Sequence, residues 1–359
     1  MDIGIPKEIK TLEGRVGLVP AACAKLIAAG HKVTIQQGAG ELSGYPDEQY
    51  TALGVQILPT AEAIYGQAQM IVKVKEPVGP ELGLLQSHHL LFSYLHLAAE
   101  AELAKKLLAI GLTGVAFETV EDQHGRLPLL APMSDIAGRL ASQIGSNLLH
   151  RPNGGKGLLL GGLPAAQRGK VVIIGGGVAG TNAAIVAAGL GAEVTVFDLN
   201  RDRLESLRAI GPNVTGLYPY PAEVANAVAD ADLVVGAVLV IGEKAPHVVS
   251  TDMVKSMAPG GVIVDISVDQ GGCIETTKPT TYESPTYIEH GVVHFCVTNM
   301  PGAVPRSASQ ALSASLIPYV LTLASGNWRD DEALAKAVNV DGGKLVHPAL
   351  IKDLPELVN

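Results

Sequence analysis

Four polar residues stand where a parallel α/β sheet presents side chains to a small ligand: Arg15, Lys75, His96 and Asp269. Each follows a predicted strand, and open α/β sheets bind ligands beyond the carboxyl ends of their strands. An arginine can hold a carboxylate through its bidentate fork, and a lysine can polarise a carbonyl oxygen. A histidine and an aspartate can move protons as a carbonyl group forms or is attacked. The set suits a dehydrogenase that acts on a small amino or hydroxy acid.

Each of these residues also has a structural interpretation that position alone leaves open. Arg15 could lie in a surface loop, and Lys75 could belong to a solvated edge strand. His96 could be a core histidine or one at the start of a helix. Asp269 competes with Asp265, which ends the preceding strand.

A glycine-rich turn in the middle of the chain indicates a second kind of chemistry. The segment Gly175-Gly176-Gly177-Val178-Ala179-Gly180 follows a strand-like run at 170–174 and precedes a helical run. Gly175 permits a tight turn, Gly177 lets the backbone approach a pyrophosphate, and Gly180 lets helix and strand pack closely. The helix N-terminus then offers N–H groups and a partial positive charge to the phosphates. Together with the next strand, this order of elements predicts dinucleotide binding.

An acidic residue at the end of that next strand, Asp198, indicates which dinucleotide binds. Its carboxylate can accept hydrogen bonds from the adenosine ribose and would repel a 2′-phosphate. One alternative is an ordinary solvated aspartate in a turn. Another is NADP binding through Arg201 or Arg203, since an arginine here can accommodate the phosphate. The position of Asp198 favours NAD.

The elements that must position these residues form two series of alternating strands and helices. They predict an α/β fold of two doubly wound, Rossmann-like domains with mainly parallel sheets, linked by helices. The chain of 359 residues is long for one compact core. The predicted strands are 2–5, 32–36, 69–74, 89–94, 113–117, 170–174, 193–197, 233–238, 262–266 and 292–297. The predicted helices are 21–29, 47–53, 98–110, 127–149, 181–190 and 307–323, the last interrupted at Pro318.

Composition excludes several classes of protein. The formal net charge is −9 and no basic patch is interleaved with aromatic residues, so nucleic acid is not an expected partner. Charged residues near the start leave no room for a signal peptide, and the most apolar run, 233–242, is far shorter than a membrane span. The three cysteines are scattered without a CxxC pair, which argues against disulfides and structural zinc. We expect a soluble, cytoplasmic protein without a metal site or a membrane partner.

Long stretches of the sequence resemble the alanine dehydrogenase family over nearly the whole chain. The strings that carry the resemblance are GIPKEIKTLEGRVGLVP at 4–20, VKVKEP at 72–77, LFSYLHLA at 91–98, LAPMSDIAGRL at 130–140, GGGVAG at 175–180, GAVLVIG at 236–242, DISVDQGG at 265–272 and NMPGAVP at 299–305. By pattern, the nearest relatives of that family are the NAD-binding subunits of proton-translocating transhydrogenase and the lysine-forming saccharopine dehydrogenases.

The resemblance implies a reversible reaction in which L-alanine, NAD and water give pyruvate, ammonium and NADH. Arg15 and Lys75 match the residues that hold the substrate in this family, and His96 and Asp269 match its acid/base pair. Hydride leaves the alanine Cα for the nicotinamide, and water attacks the resulting iminium. One acid/base residue must accept the proton of that water and then assist the departure of ammonia.

The resemblance also implies the cofactor contacts and the assembly. Tyr220 stands where the family often has a serine on the adenine side. The family further implies a homohexamer whose C-terminal segment rejoins the first domain. We therefore expect an NAD-binding domain at 131–305 and a discontinuous substrate-binding domain at 1–130 with 306–359. With the glycine turn, the expected cofactor contacts are Ser134, Gly175, Gly177, Val178, Ala179, Gly180, Asp198, Arg203, Tyr220, Val238, Leu239, Ile266, Ser267, Val268, Asp269, Val297, Thr298, Asn299 and Met300.

Three other functions stay open. A soluble transhydrogenase subunit would carry hydride between nucleotides without an organic substrate, and would need a partner chain and a membrane anchor. An NAD-binding regulatory protein would need no acid/base pair. A saccharopine-type dehydrogenase would take a larger amino acid. Formation of NADH that depends on L-alanine would separate them.

Overall fold

The computed structural model describes residues 1–239 and 245–358, which divide into two compact units. The first unit comprises Met1–Met133 and the chain from Gly302 onward, and the second comprises Ser134–Pro301. Each unit has helices packed around its own mainly parallel sheet, which confirms the predicted fold class. Residues 240–242 of the string GAVLVIG lie outside the described residues.

The strands and helices follow one another in mostly short segments. The strands are β1 Asp2–Ile5, β2 Lys32–Gln36, β3 Gln56–Leu58, β4 Met70–Val72, β5 Leu90–Ser93, β6 Thr113–Ala116, β7 Lys170–Ile174, β8 Glu193–Phe197, β9 Val214–Leu217, β10 Leu233–Gly236, β11 Val262–Asp265, β12 Thr286–Glu289, β13 Val292–Phe295, β14 Val338–Asp341 and β15 Lys344–Leu345. The helices are α1 Pro20–Ala28, α2 Asp47–Thr51, α3 Ala61–Gln67, α4 Ala101–Ile110, α5 Ala131–Leu148, α6 Val178–Gly189, α7 Arg201–Arg208, α8 Pro221–Ala229, α9 Thr251–Ser256, α10 Pro305–Ala324, α11 Glu332–Lys336 and α12 Pro348–Asp353.

The sheet of the first unit has, in the described residues, the order β15-β14-β6-β5-β4-β1-β2-β3. Strands β1 to β6 pair in parallel, whereas β14 is antiparallel to both β6 and β15. The chain winds outward from β1 to β3 on one side and from β4 to β6 on the other. The carboxyl ends of β1 and β4 therefore form the topological switch point, where such sheets bind ligands.

The second unit has, over its described residues, the strand order β12-β13-β11-β10-β7-β8-β9, parallel except for the pair β12 and β13. Its switch point lies at β7 and β10. Side chains of β7 alternate between two core clusters, with Val171 and Ile173 in one and Val172 and Ile174 in the other. Because both faces are covered, the strand is apolar throughout.

Some elements differ from the sequence prediction. The sequence prediction did not include eleven of the elements observed in the described part of the chain, each of nine residues or fewer: β3, β9, β12, β14, β15, α3, α7, α8, α9, α11 and α12. The predicted interruption at Pro318 is wrong, since α10 continues through it with buried residues on either side of the proline. Helix α10 belongs to the first unit, where its Ser309 and Ser313 hydroxyls each accept a backbone N–H, from Val16 and Val19, at 3.0 Å.

Candidate active site

Arg15 lies in the loop between β1 and α1 with its side chain buried, so the surface-loop interpretation is wrong. Nε and Nη2 of Arg15 donate to the Glu13 carboxylate at 2.6 and 2.5 Å, and the Arg15 backbone N–H donates to it at 3.1 Å. Burial alone would lower the pKa of the guanidinium, but Glu13 more than offsets this, and the pKa of Arg15 is raised. Arg15 is thus a buried cation whose orientation is set by Glu13.

Lys75 follows β4, which lies between β5 and β1, so the edge-strand interpretation is wrong. Two buried residues hold its backbone. The Glu8 carboxylate accepts the Lys75 N–H at 3.3 Å, and the Lys73 ammonium donates to the Lys75 carbonyl at 3.0 Å. Lys73 also pairs with Glu8 and with Glu81, each at 3.2 Å. A buried cation thus has two anionic partners, as its desolvation requires.

The surroundings of the Lys75 side chain disfavour its charged, protonated form. Burial lowers the pKa of Lys75, and the nearby cations Arg15 and Lys10 lower it further, while Glu76 acts in the opposite direction. An anion bound by Arg15 and Lys75 would offset the repulsion between them. The pair is therefore suited to a substrate carboxylate or a developing oxyanion.

His96 follows β5 with 42% of its side chain exposed, so it is not a core histidine. It precedes α4 by several residues and is not in the first turn of that helix. The imidazole is stacked parallel to the Tyr94 ring, with centroids 5.6 Å apart. Its backbone φ is +49°, in the left-handed region that residues other than glycine seldom occupy. The ring is supported by Tyr94 and remains accessible to a small molecule.

The first unit brings Arg15, Lys75 and His96 to one edge of its sheet. The strands before them, β1, β4 and β5, are parallel neighbours, so their carboxyl ends lie side by side. Tyr94 links the groups: Arg15 acts on its phenol electrostatically and His96 stacks on its ring. Asp269 belongs to the second unit.

The glycine turn of the second unit fits a pyrophosphate. Gly175 has a φ of +99°, and a Cβ there would lie 2.5 Å from the carbonyl oxygen of Ala237. A Cβ on Gly180 would lie 1.8 Å from the Gly175 carbonyl oxygen, whereas one on Gly177 would meet no described atom within 4 Å beyond its chain neighbours. Gly177 is the N-cap residue of α6 and provides no side-chain cap, and the first turn of α6 carries no acidic residue. Open space in front of helix N–H groups is the cradle that a phosphate needs.

Asp198 is largely buried and tied to the glycine turn, so the interpretation as a solvated turn residue is wrong. Its Oδ2 accepts the Gly176 N–H at 2.7 Å, and its Oδ1 accepts the Asn200 N–H at 2.7 Å. Nη1 of Arg203 approaches Oδ2 at 3.6 Å. The carboxylate therefore stays beside the turn as an acceptor, with Arg203 as its counter-ion.

The loop that carries Asp269 is held by Asp265, the last residue of β11. Asp265 is fully buried, and its carboxylate accepts the Ser267 N–H at 2.9 Å, the Cys273 N–H at 3.1 Å and the Thr277 hydroxyl at 2.7 Å. Asp269 lies exposed in the 3-10 turn between these anchors. The two aspartates thus differ in role: Asp265 closes the loop and Asp269 faces outward.

Most of the other predicted cofactor residues follow the carboxyl ends of strands in the same sheet. Val238 and the half-exposed Leu239 follow β10, Ile266, Ser267 and Val268 follow β11, and Val297, Thr298, Asn299 and Met300 follow β13. Val178 and Ala179 begin α6 after β7. Tyr220 is 62% exposed and packs on Tyr218 at the start of α8, and Ser134 lies in the first turn of α5.

Sequence reasoning assigned no role to the residues that hold the candidate site in place. Glu13, Glu8 and Lys73 contact Arg15 and Lys75 inside the first unit, and Glu118 contacts the backbone of His96. The available signal was that Glu8 and Glu118 each follow a predicted strand, as the four candidate residues do. Among residues 1–239 and 245–358, no group of three or more His, Cys, Asp or Glu side chains could hold a metal. No helix in that part of the chain is long and apolar enough to cross a membrane.

Comparison with known proteins identifies the family. The family model "Alanine dehydrogenase/PNT, N-terminal domain" matches residues 4–137, and the model for the C-terminal domain of the same family matches residues 141–348. The chain belongs to the alanine dehydrogenase/PNT family.

Relatives within the alanine dehydrogenase/PNT family match the chain over nearly its full length. The alanine dehydrogenase of Mycolicibacterium smegmatis is 48% identical, covering 99% of this chain and 97% of its own. That of Bacillus subtilis is 49% identical, covering 99% and 95%. A solved L-alanine dehydrogenase has a TM-score of 0.97 at 51% identity, with 100% of both chains covered. The transhydrogenase of Sinorhizobium meliloti has a TM-score of 0.85 at 27% identity, covering 97% of this chain and 100% of its own.

Proposed function

We propose that the chain is an NAD-dependent oxidoreductase that converts L-alanine and water reversibly into pyruvate and ammonium. The observation that carries the proposal is the pair of cations at the switch point of the first sheet, the buried Arg15 and the half-buried Lys75. Full-length similarity to proteins named alanine dehydrogenase supports L-alanine as the substrate. A hydride carrier or sensor without an organic substrate would have no use for the cation pair.

Arg15 and Lys75 hold the substrate. Arg15 binds the α-carboxylate through the edge formed by Nη1 and Nη2, since Glu13 takes the edge formed by Nε and Nη2. A guanidinium edge matches a carboxylate in shape and charge. Lys75 donates to the carboxylate or to the carbonyl oxygen of pyruvate. The burial of Arg15 and the partial burial of Lys75 strengthen both interactions, since water screens charges less there.

His96 and Asp269 carry the protons. Deamination requires a group that takes a proton from the attacking water and a group that protonates the departing nitrogen. A histidine ring nitrogen can accept a proton in one step and donate it in another. The exposed ring of His96 and the exposed position of Asp269 support this role.

Residues of the second unit hold NAD, which supplies the hydride acceptor when bound. Gly175, Gly177 and Gly180 shape the turn for the pyrophosphate, and the α6 N-terminus gives it N–H donors. Asp198 accepts from the adenosine ribose. Arg203 is paired with Asp198, which supports NAD over NADP. The contacts predicted at Ser134, Tyr220, Leu239, 266–269 and 297–300 complete the site.

The test separates turnover from cofactor binding. His96→Ala and Asp269→Ala are each expected to abolish L-alanine-dependent NADH formation while NAD binding, measured by calorimetry, survives. Glu121→Gln is the control, because Glu121 is an exposed acidic residue outside the site. Undiminished turnover in either alanine variant would refute the assigned role, and loss of NAD binding in His96→Ala would mean that the site is misplaced.

We further propose that the protein forms homohexamers in the cytoplasm. All three cysteines, Cys23, Cys273 and Cys296, are buried free thiols, which suits a reducing compartment. Light scattering should give a mass about six times that of the 37.1 kDa chain. Cell fractionation should recover the protein with cytosolic markers. A monomeric mass, or recovery with secreted proteins, would contradict the respective proposal.

A further inference from the structure

The geometry points to Glu118 as the residue that positions His96, an inference that rests on the proposed function. Glu118 lies in the 3-10 turn Phe117–Thr119, directly after β6. Strand β6 is the parallel neighbour of β5, which leads to His96. Since adjacent parallel strands end at the same edge, a side chain following one strand can reach the backbone that follows the other.

The Glu118 carboxylate receives two successive backbone N–H groups. The His96 N–H donates to Oε1 at 2.6 Å, and the Leu95 N–H donates at 3.2 Å to Oε1 and 3.3 Å to Oε2. Successive N–H groups that converge on one anion form a nest, which needs a turn with left-handed backbone. His96 has that backbone, with a φ of +49°. Bonds to an ionised acceptor are stronger than neutral ones, so Glu118 stabilises a conformation that a histidine otherwise disfavours.

The backbone conformation of His96 also sets the direction of its imidazole. The ring lies within 7° of parallel to that of Tyr94, whose hydroxyl donates to the Leu129 carbonyl at 2.6 Å. Nδ1 of His96 is 4.0 Å from Oε1 of Glu118, which is beyond hydrogen-bond distance. The carboxylate therefore acts on the backbone of His96 and not on its ring. Glu118 is a positioning residue that places the proton-carrying ring against its Tyr94 support.

The experiment compares Glu118→Gln and Glu118→Asp with wild type and with the control Glu121→Gln. Steady-state kinetics gives kcat and KM for L-alanine, and hydrogen exchange reports on the amides of Leu95 and His96. Glu118→Gln should lower kcat about 100-fold, the scale on which a displacement of about 1 Å affects catalysis, with little change in KM. The same amides should exchange faster. Glu118→Asp keeps the charge and should recover part of kcat.

The results that would refute the role of Glu118 differ from the result that would refute the proposed function. Wild-type kcat in Glu118→Gln would overturn the inference, as would equal losses in Glu118→Gln and Glu121→Gln. A raised KM with unchanged kcat would place Glu118 in contact with substrate instead. Failure of the wild type to oxidise L-alanine would refute the proposed function. Hydrogen exchange would then still decide the inference, because unchanged protection of Leu95 and His96 in Glu118→Gln would contradict it.

Discussion

The two candidate binding regions bind their ligands with different groups. The region around Arg15 and Lys75 in the first unit uses charged side chains and is called the charge-built region. The glycine turn at 175–180 in the second unit uses backbone N–H groups and is called the backbone-built region. In the first unit, buried charged residues fix the candidate substrate-binding residues. Glu13 accepts hydrogen bonds from the Arg15 side chain, and Lys73 and Glu8 bind the backbone of Lys75. In the second unit, the backbone provides the donors, at a turn shaped by glycines before α6. A small charged substrate offers few contacts, so each must be strong, and every buried cation then needs a compensating partner. A diphosphate can be bound by helix N–H groups without any buried cation.

The largest effect is expected when one methyl group is added in the backbone-built region, which should abolish NAD binding. Gly180→Ala would place a Cβ 1.8 Å from the Gly175 carbonyl oxygen, so the turn must move and NAD binding should be lost. Gly189→Ala, in the same helix, is the matched control, because its Cβ would meet no described atom within 4 Å beyond its neighbours. Calorimetric titration with NAD measures the affinity of both variants. Tight binding by Gly180→Ala would show that the glycines do not shape the site.

Substitution of a third glycine, Gly177, should affect NAD binding without affecting folding. Gly177→Ala has open space around its Cβ and should fold as stably as wild type, yet bind NAD more weakly because the methyl group occupies the approach of the pyrophosphate. Unchanged NAD affinity would contradict the assignment of that space to the cofactor.

The next largest effect is expected in the charge-built region. Lys73→Met removes the cation between Glu8 and Glu81 and leaves two buried carboxylates without it. Breaking a buried pair in this way costs about 3–5 kcal/mol in the free energy of unfolding, which urea titration can measure. Lys105→Met removes an exposed lysine paired with Glu102, so it should change the free energy of unfolding far less, because water screens an exposed pair. Equal costs would refute the distinction between buried and exposed pairs.

A smaller effect is expected at Asp198, the carboxylate that should contact the adenosine ribose. Asp198→Ala removes a charged acceptor, a loss of about 1.5–3 kcal/mol, which corresponds to roughly 10- to 150-fold in NAD affinity. NADP binding should improve, because Arg203 loses its carboxylate partner. Asp202→Ala, at an exposed position of α7, is the control. An unchanged preference for NAD over NADP would contradict the role of Asp198.

The smallest effect is expected in the charge-built region, where pyruvate affinity should depend on pH. Burial lowers the pKa of Lys75 from its ordinary value of 10.5, so the ammonium loses its proton at a lower pH than a surface lysine would. Pyruvate should bind tightly while Lys75 is charged and more weakly as the pH rises through the lowered pKa. Pyruvate affinity of the NADH complex, measured against pH, tests this. Lys75→Arg should remove the dependence, because a guanidinium stays charged; a rise in affinity with pH would contradict the assignment.

The same contrast explains what the sequence could and could not predict. The glycine turn and the strands beside it are local patterns, and β1, β2, β7 and β8 were predicted with their observed bounds. The partners of the charged residues depend on which strands become neighbours. Lys73 and Glu8 meet only because β4 pairs with β1, and Glu118 reaches His96 only because β6 pairs with β5. Such pairings join residues far apart in the chain, and no local periodicity encodes them.

The most direct test of the proposed activity is the initial rate of NADH formation by purified protein with NAD and one of L-alanine, L-lysine, L-glutamate or L-lactate. The account predicts a rapid increase in absorbance with L-alanine only, and its reversal by pyruvate with ammonium. Silence with all four substrates, in a sample that binds NAD, would contradict it.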